Sequence, residues 1–119
     1  MEATTTVTIE FTSDTRQHLK ALEHQLKHIH DVEVELVEPR DHKAPALVAI
    51  GIEKTGARGE AAAQNIAQVL YNFLHDEANA HFKKTINLVT IEGERTDIEP
   101  LSVQQIKEII VAAREGEVD

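Results

Sequence analysis

The chain has 119 residues, of which 41% are apolar and 28% are charged, and this size and composition predict one domain spanning 1–119. A formal net charge of −9 and an aromatic content of 3% disfavour nucleic acid and anionic membranes as partners, because both are bound by basic surfaces. Cysteine is absent, which excludes disulfides and thiolate sites, and the N-terminus has no basic and apolar leader, so we expect a cytoplasmic protein.

The first half of the chain predicts three strands and one helix. Apolar and polar residues alternate in Val7–Thr12 and again in Asp31–Glu38, which is typical of strands with one buried face. Between them, a helix is expected after a cap at Ser13 or Asp14. Ala46–Ile52 is almost wholly apolar and predicts a central strand. The helix expected after Ser13 or Asp14 has an apolar stripe at spacings of three and four, formed by Leu19, Leu22, Leu26 and Ile29.

The second half predicts a long helix, a strand and a final helix. The long helix follows a glycine-containing stretch and is expected to end near Asn79, and a strand is expected at Thr85–Gly93. A short extra strand is predicted at Thr96–Ile98. Ser102 caps the last helix, and Gln105 completes a capping-box pattern. The core face of the long helix is predicted to comprise Ala62, Ile66, Val69, Leu70 and Phe73.

This order of elements predicts an α+β fold. Two strand–helix–strand units joined through a hairpin build a ferredoxin-like βαββαβ sandwich, with a four-stranded antiparallel sheet and helices on one face. The last helix is an addition at the C-terminus. We expect flexible ends at about residues 1–4 and 115–119.

The stretch KTGARGEAAAQ joins an apolar strand to the long helix. Its glycines are too close for a phosphate-binding P-loop, and Glu60 stands where the lysine of that motif would be. Glycine commonly forms such strand-to-helix turns, and this is the interpretation we favour. The alternative is an anion site at the helix N-terminus, formed by Lys54, Gly56, Arg58 and Gly59.

Seven histidines are present, and two of them have the spacing of metal ligands on a helix. His24 and His28 are four residues apart, but the residues between them lack the catalytic glutamate of a His-Glu-x-x-His motif. Both are expected to point away from the leucine stripe, towards solvent. We therefore predict no metal and no cofactor, and we keep a metal-dependent enzyme using this pair as an alternative.

Two surfaces are candidates for contact with another protein. The outer face of the long helix has no charge between Glu60 and Asp76, and it contains Asn65 beside the candidate interface residues Gln64, Gln68, Tyr71 and Asn72. Interfaces are depleted in charge and enriched in tyrosine, although a solvated polar face would have a similar composition. The second candidate is an open face of the sheet, with expected members Thr6, Thr8, Glu10, Glu33, Glu35 and Asn87.

Three segments resemble the effector-associated constant component family, small proteins encoded beside effectors in bacterial conflict systems. They are VTIEFTSDTRQHLKALEHQL, ALVAIGIEKTGARGEAAAQNIAQVLYNFL and INLVTIEGERTDIEPLSVQQIKEII. Phe73 stands where that family tends to have tryptophan, and its members are often richer in arginine. The resemblance implies a non-catalytic partner of a separate effector domain, and it carries over no catalytic residues.

The sequence therefore predicts a non-enzymatic adaptor or regulatory domain that binds a protein partner or a second copy of itself, such as in a homodimer. Neither serine is set in a nucleophile motif, since Ser13 and Ser102 both have the pattern of helix caps. A ligand-binding regulatory domain with an anion at the Gly56–Gly59 turn is the main alternative.

Overall fold

The computed structural model describes residues 4–13, 16–37, 46–53, 56–75, 84–89 and 94–116, which form five strands and three helices. The elements in chain order are β1 (Thr4–Ser13), α1 (Arg16–Lys27), β2 (Glu33–Val37), β3 (Ala46–Glu53), α2 (Ala57–Leu74), β4 (Lys84–Val89), β5 (Arg95–Asp97) and α3 (Val103–Gly116). The expected α+β class is therefore observed.

The described strands form one antiparallel sheet in the order β2-β3-β1-β4-β5. The expectation of four strands is wrong, because β5 adds a fifth beside β4. It lies one residue earlier than the short strand expected at Thr96–Ile98. Ile98 fixes this addition, since its side chain is fully buried and its backbone N–H donates to the carbonyl of Ile86 at 3.2 Å.

One face of the sheet is buried beneath the helices. Side chains alternate along a strand, and in β1 the buried Val7, Ile9 and Phe11 point to one face while Thr6 and Thr12 are exposed on the other. All three helices add buried residues to the same core cluster, so they cover this one face. The helical members are Leu19, Leu22, Leu26, Ala62, Ala63, Ile66, Ala67, Leu70, Phe73, Ile106 and Ile110.

The predicted core stripes are confirmed with two adjustments. Ile29, which follows α1, and Val69 of α2 are partly buried at the margin of the core, whereas the other predicted members of both stripes are buried. Val69 lies at the edge of the apolar stripe of α2, where the helix surface turns from the core towards solvent, and Ile29 lies beyond the last residue of α1.

Helix α2 begins at Ala57, inside the glycine-containing stretch that was expected to precede it. Gly56 has φ 93° and ψ 171°, a conformation that a helix cannot contain, and the helix starts at the next residue. Gly59 is consequently buried within the first turn of α2 and does not belong to the strand-to-helix turn. The helix ends at Leu74, with the N–H of His75 donating to the carbonyl of Tyr71 at 3.1 Å. The predicted end near Asn79 lies outside the described residues.

The capping box predicted at the start of α3 is confirmed. The N–H of Gln105 donates to Oγ of Ser102 at 3.2 Å, and the N–H of Ser102 donates to Oε1 of Gln105 at 2.9 Å. Each side chain satisfies a backbone donor of the other residue, which fixes where the helix begins. The predicted cap of α1 is not found at Ser13, which is the last residue of β1, and Asp14 lies outside the described residues.

Strand β1 starts at Thr4, and α3 extends to Gly116, while the remaining terminal residues lie outside the described ranges. Among the helices that the structure describes, none combines the length and the hydropathy that crossing a membrane requires.

Candidate functional site

The outer surface of α2 is an uncharged stripe, here called the α2 stripe, formed by Gln64, Asn65, Gln68, Tyr71 and Asn72. Asn65, Gln68 and Asn72 are exposed, and Gln64 and Tyr71 are half-buried. Nε2 of Gln68 donates to Oδ1 of Asn72 at 2.9 Å, one helical turn away. These residues therefore lie on one surface, as predicted, and offer amide donors and acceptors to a neighbouring molecule.

Tyr71 lies at the edge of this stripe and extends it towards the end of α2. Its ring packs against the ring of His75, with centroids 4.3 Å apart and planes inclined by 38°. The tyrosine also contacts the margin of the hydrophobic core. A half-buried tyrosine ring that packs between the core and His75 presents an aromatic edge, and tyrosine is enriched in protein interfaces.

The charged groups of α2 are confined to its first turn and are paired. Arg58 lies 3.9 Å from Glu53, and Glu60 lies 3.8 Å from Lys107 of α3. One arginine and one glutamate give Ala57–Leu74 a net charge of zero, in a chain whose net charge is −9. The surface of α2 is thus electrically unlike the chain as a whole.

A shallow groove of about 270 Å³ separates the start of α2 from α3. It is lined by Glu60, Gln104, Lys107, Glu108, Val111 and Ala112. Lys107 is largely covered and directed at Glu60, and Nε2 of Gln104 donates to Oε1 of Glu108 at 3.3 Å. Its polar groups are engaged with one another, and the pair of Glu60 and Lys107 links the two helices across the groove.

The turn at Gly56 already holds a carboxylate of this chain. Oε1 of Glu53 pairs with Arg58. Oε2 of Glu53 is close to Gly56, since it lies 3.9 Å from the position that a Cβ atom on this glycine would take. Glu60 adds a second negative charge in the first turn of the helix. These carboxylates would repel an incoming anion, which would have to displace them in order to bind. Lys54, the other predicted cation, lies outside the described residues, and the anion site stays a prediction.

His24 of α1 and His28, in the turn that follows α1, lie side by side and exposed. Their ring centroids are 4.4 Å apart, and Nδ1 of His28 donates to the backbone carbonyl of His24 at 2.8 Å. This leaves Nε2 as the nitrogen that could bind a metal. Within the described ranges, no three His, Asp or Glu side chains are grouped so as to hold an ion. Catalytic zinc sites use three protein ligands, so the metal-dependent alternative gains no support from this geometry.

No described helix covers the other face of the sheet, here called the open face, and the strand register assigns its rows. The six residues expected on this face all lie there. One row runs Val37, Leu47, Glu10, Asn87 and Asp97 across the five strands. The next row runs Glu35, Ala49, Thr8, Val89 and Arg95, and a shorter third row is Glu33, Gly51 and Thr6.

Glu10 of β1 lies near the centre of this open face, and two neighbours hold its carboxylate in place. Nε of Arg95 donates to Oε2 of Glu10 at 2.7 Å, and Nδ2 of Asn87 donates to Oε1 at 3.2 Å. The hydrogen bond from Arg95 lowers the pKa of Glu10, with further lowering by Asn87 and by the charge of Arg95, while burial opposes these effects. The cluster therefore keeps Glu10 ionised and joins β5 to β1 across β4.

Two exposed apolar residues on the open face were not predicted from the sequence. Val37 and Leu47 are opposite each other in the β2–β3 register and are 50% and 40% exposed. The alternation of side chains along a strand predicts both positions. Val37 is two residues after the exposed Glu35 and therefore lies on the same face, and Leu47 lies between the inward-facing Ala46 and Val48. Arg95 was also missed, because nothing local in the sequence indicates that it contacts Glu10.

Compared with known proteins, the chain matches no protein-family model, no curated protein and no solved structure.

Proposed function

We propose that this chain is a non-enzymatic interaction domain that self-associates through the α2 stripe and acts as an adaptor or regulatory accessory to a separate effector protein. The observation that carries the proposal is the uncharged, exposed surface of α2 in a strongly acidic chain. The resemblance to effector-associated constant components supports the accessory role. A cytoplasmic location fits the cysteine-free composition.

The charge of the chain supports a second copy as the occupant of the α2 stripe. Two copies of a −9 chain repel each other, and the repulsion is smallest where the facing surfaces are neutral. Amide side chains are both donors and acceptors, so a stripe of Gln and Asn can satisfy itself across a two-fold axis. We infer an antiparallel pair of α2 helices related by this axis.

We also infer that the first four strands have the ferredoxin-like arrangement. The order β2-β3-β1-β4, antiparallel throughout, is what two split strand–helix–strand units produce, and it supports this assignment. In this proposal β5 and α3 are additions to the shared core. Such a fold hosts many functions, so the functional proposal depends on the surface of α2 and not on the fold.

Sedimentation equilibrium of the purified chain at several concentrations tests self-association. We expect a reversible dimer, and Gln68→Glu should weaken it about tenfold or more, since the interface would then contain two added like charges. Gln25→Glu makes the same change at an exposed position of α1 and should leave the dimer unchanged. A chain that is monomeric at every concentration, or that responds equally to both variants, would contradict the proposal.

A further inference from the structure

Strand β2 lies at one end of the sheet, and β3 is its neighbour among the described strands. An end strand directs half of its backbone N–H and C=O groups away from the sheet, where they can pair with another extended segment. Of the two end strands described, β2 has five residues and β5 has three. The longer strand offers more hydrogen bonds to an incoming chain.

The side chains of β2 give this edge a definite chemistry. Val34 and Leu36 are half-buried against the core, whereas Glu33, Glu35 and Val37 are exposed on the open face. The sequence along the exposed side is therefore acidic, acidic and apolar. Leu47 lies beside Val37 in the next strand, so the apolar position belongs to a pair of exposed apolar side chains.

Charge argues against a second copy at this edge. In a symmetric antiparallel pairing centred on β2, Glu35 would lie directly opposite its own copy, and like charges in that position are destabilising. Acidic side chains on an edge strand thus act against self-pairing. The same two carboxylates would attract a segment with basic residues at alternate positions.

We propose that β2 accepts an extended basic segment of another protein as an additional antiparallel strand. Lys or Arg residues of that segment lie opposite Glu33 and Glu35, and an apolar residue lies opposite Val37, where it extends the exposed apolar pair of Val37 and Leu47 by one strand. Antiparallel addition continues the pattern of the whole sheet and is the more stable pairing. This inference does not depend on the α2 stripe, which lies on another surface.

The test is a titration of the isotope-labelled chain with the blocked peptide Thr-Val-Thr-Lys-Thr-Lys-Thr, followed by amide NMR shifts. We expect saturable changes concentrated in β2 and β3. A peptide with glutamates in place of both lysines should not bind, because it would place like charges opposite Glu33 and Glu35. A basic peptide N-methylated on alternate residues along its pairing edge should not bind either, because methylation blocks the backbone hydrogen bonds.

Two variants separate this edge from general attraction to an acidic chain. Replacing both Glu33 and Glu35 by Gln should weaken binding of the basic peptide roughly threefold to tenfold. Replacing Glu99 and Glu108 by Gln removes the same charge elsewhere and should leave binding nearly unchanged. Equal losses in both variants, shifts that map away from β2, or equal binding of the methylated peptide would overturn strand addition. Shifts in β2 that depend on protein concentration alone would instead assign this edge to a second copy.

Discussion

The ion pair between Glu10 and Arg95 is expected to stabilise the sheet measurably, although it lies on the open face. The changes that test it are Glu10→Gln, Arg95→Gln and the double variant, which together form a double-mutant cycle. Gln keeps the approximate size of each side chain and removes its charge. Since Arg95 belongs to the three-residue strand β5, the pair is one of the contacts that hold this strand against the sheet.

The expected coupling free energy between Glu10 and Arg95 follows from the geometry and the exposure of their side chains. The Nε–Oε2 distance is 2.7 Å, and the side chain of Glu10 is 11% exposed while that of Arg95 is 62% exposed. A hydrogen bond to a charged group is worth about 1.5–3 kcal/mol when it is shielded, and an exposed ion pair about 0.2–1 kcal/mol. Because solvent screens Arg95, we expect a coupling free energy of about 1 kcal/mol.

The pH dependence has a definite sign. The pKa of Glu10 is lowered from its ordinary value of 4.5, chiefly by the hydrogen bond from Arg95. The folded state therefore favours the ionised carboxylate, and the stabilisation that Glu10 contributes to the folded state is complete above pH 4.5. It is lost as the pH falls from there through the lowered pKa of the folded state. Glu10→Gln should accordingly flatten the fall in stability over this acidic range.

Urea unfolding at neutral pH and at several acidic pH values measures both effects. Glu35→Gln is the matched control, since it removes an exposed carboxylate from the same face of the sheet and should show no coupling with Arg95→Gln. A Glu10–Arg95 coupling below about 0.3 kcal/mol at neutral pH would refute the reasoning. An unchanged acid profile in Glu10→Gln would refute the assigned cause of the pKa shift.

Three further substitutions test the core, a helix cap and a turn by thermal or urea unfolding. Leu22→Ala removes a fully buried side chain of α1 and should destabilise the fold by about 2–5 kcal/mol; a loss below about 1 kcal/mol would mean that α1 is loosely packed. Ser102→Ala should cost about 1 kcal/mol, whereas Ser102→Asn should retain the cap and most of the stability. Gly56→Ala should cost about 1–3 kcal/mol because its φ of 93° and ψ of 171° suit glycine alone. Gly51→Ala is its control, since an added Cβ would meet Glu33 at an ordinary 3.7 Å, and equal costs at both glycines would contradict the backbone explanation.

The sequence by itself determined the elements and their buried sides. The leucines of α1 and the alternating residues of β1 show their periods locally, and the same side chains are buried in the structure. The capping box of Ser102 and Gln105 could also be predicted, because its partners are three residues apart. In each case the interaction or the period is contained within a single element.

The tertiary structure decided which distant residues meet and which surfaces remain open. Glu10 and Arg95 are 85 residues apart in the chain, and the registers of β1–β4 and β4–β5 bring them together. The pairing of Arg58 with Glu53 at the helix start and the juxtaposition of Val37 with Leu47 likewise depend on where separate elements end and pair. Local periodicity assigns a residue to a face, but only strand order and register determine what lies beside it on that face.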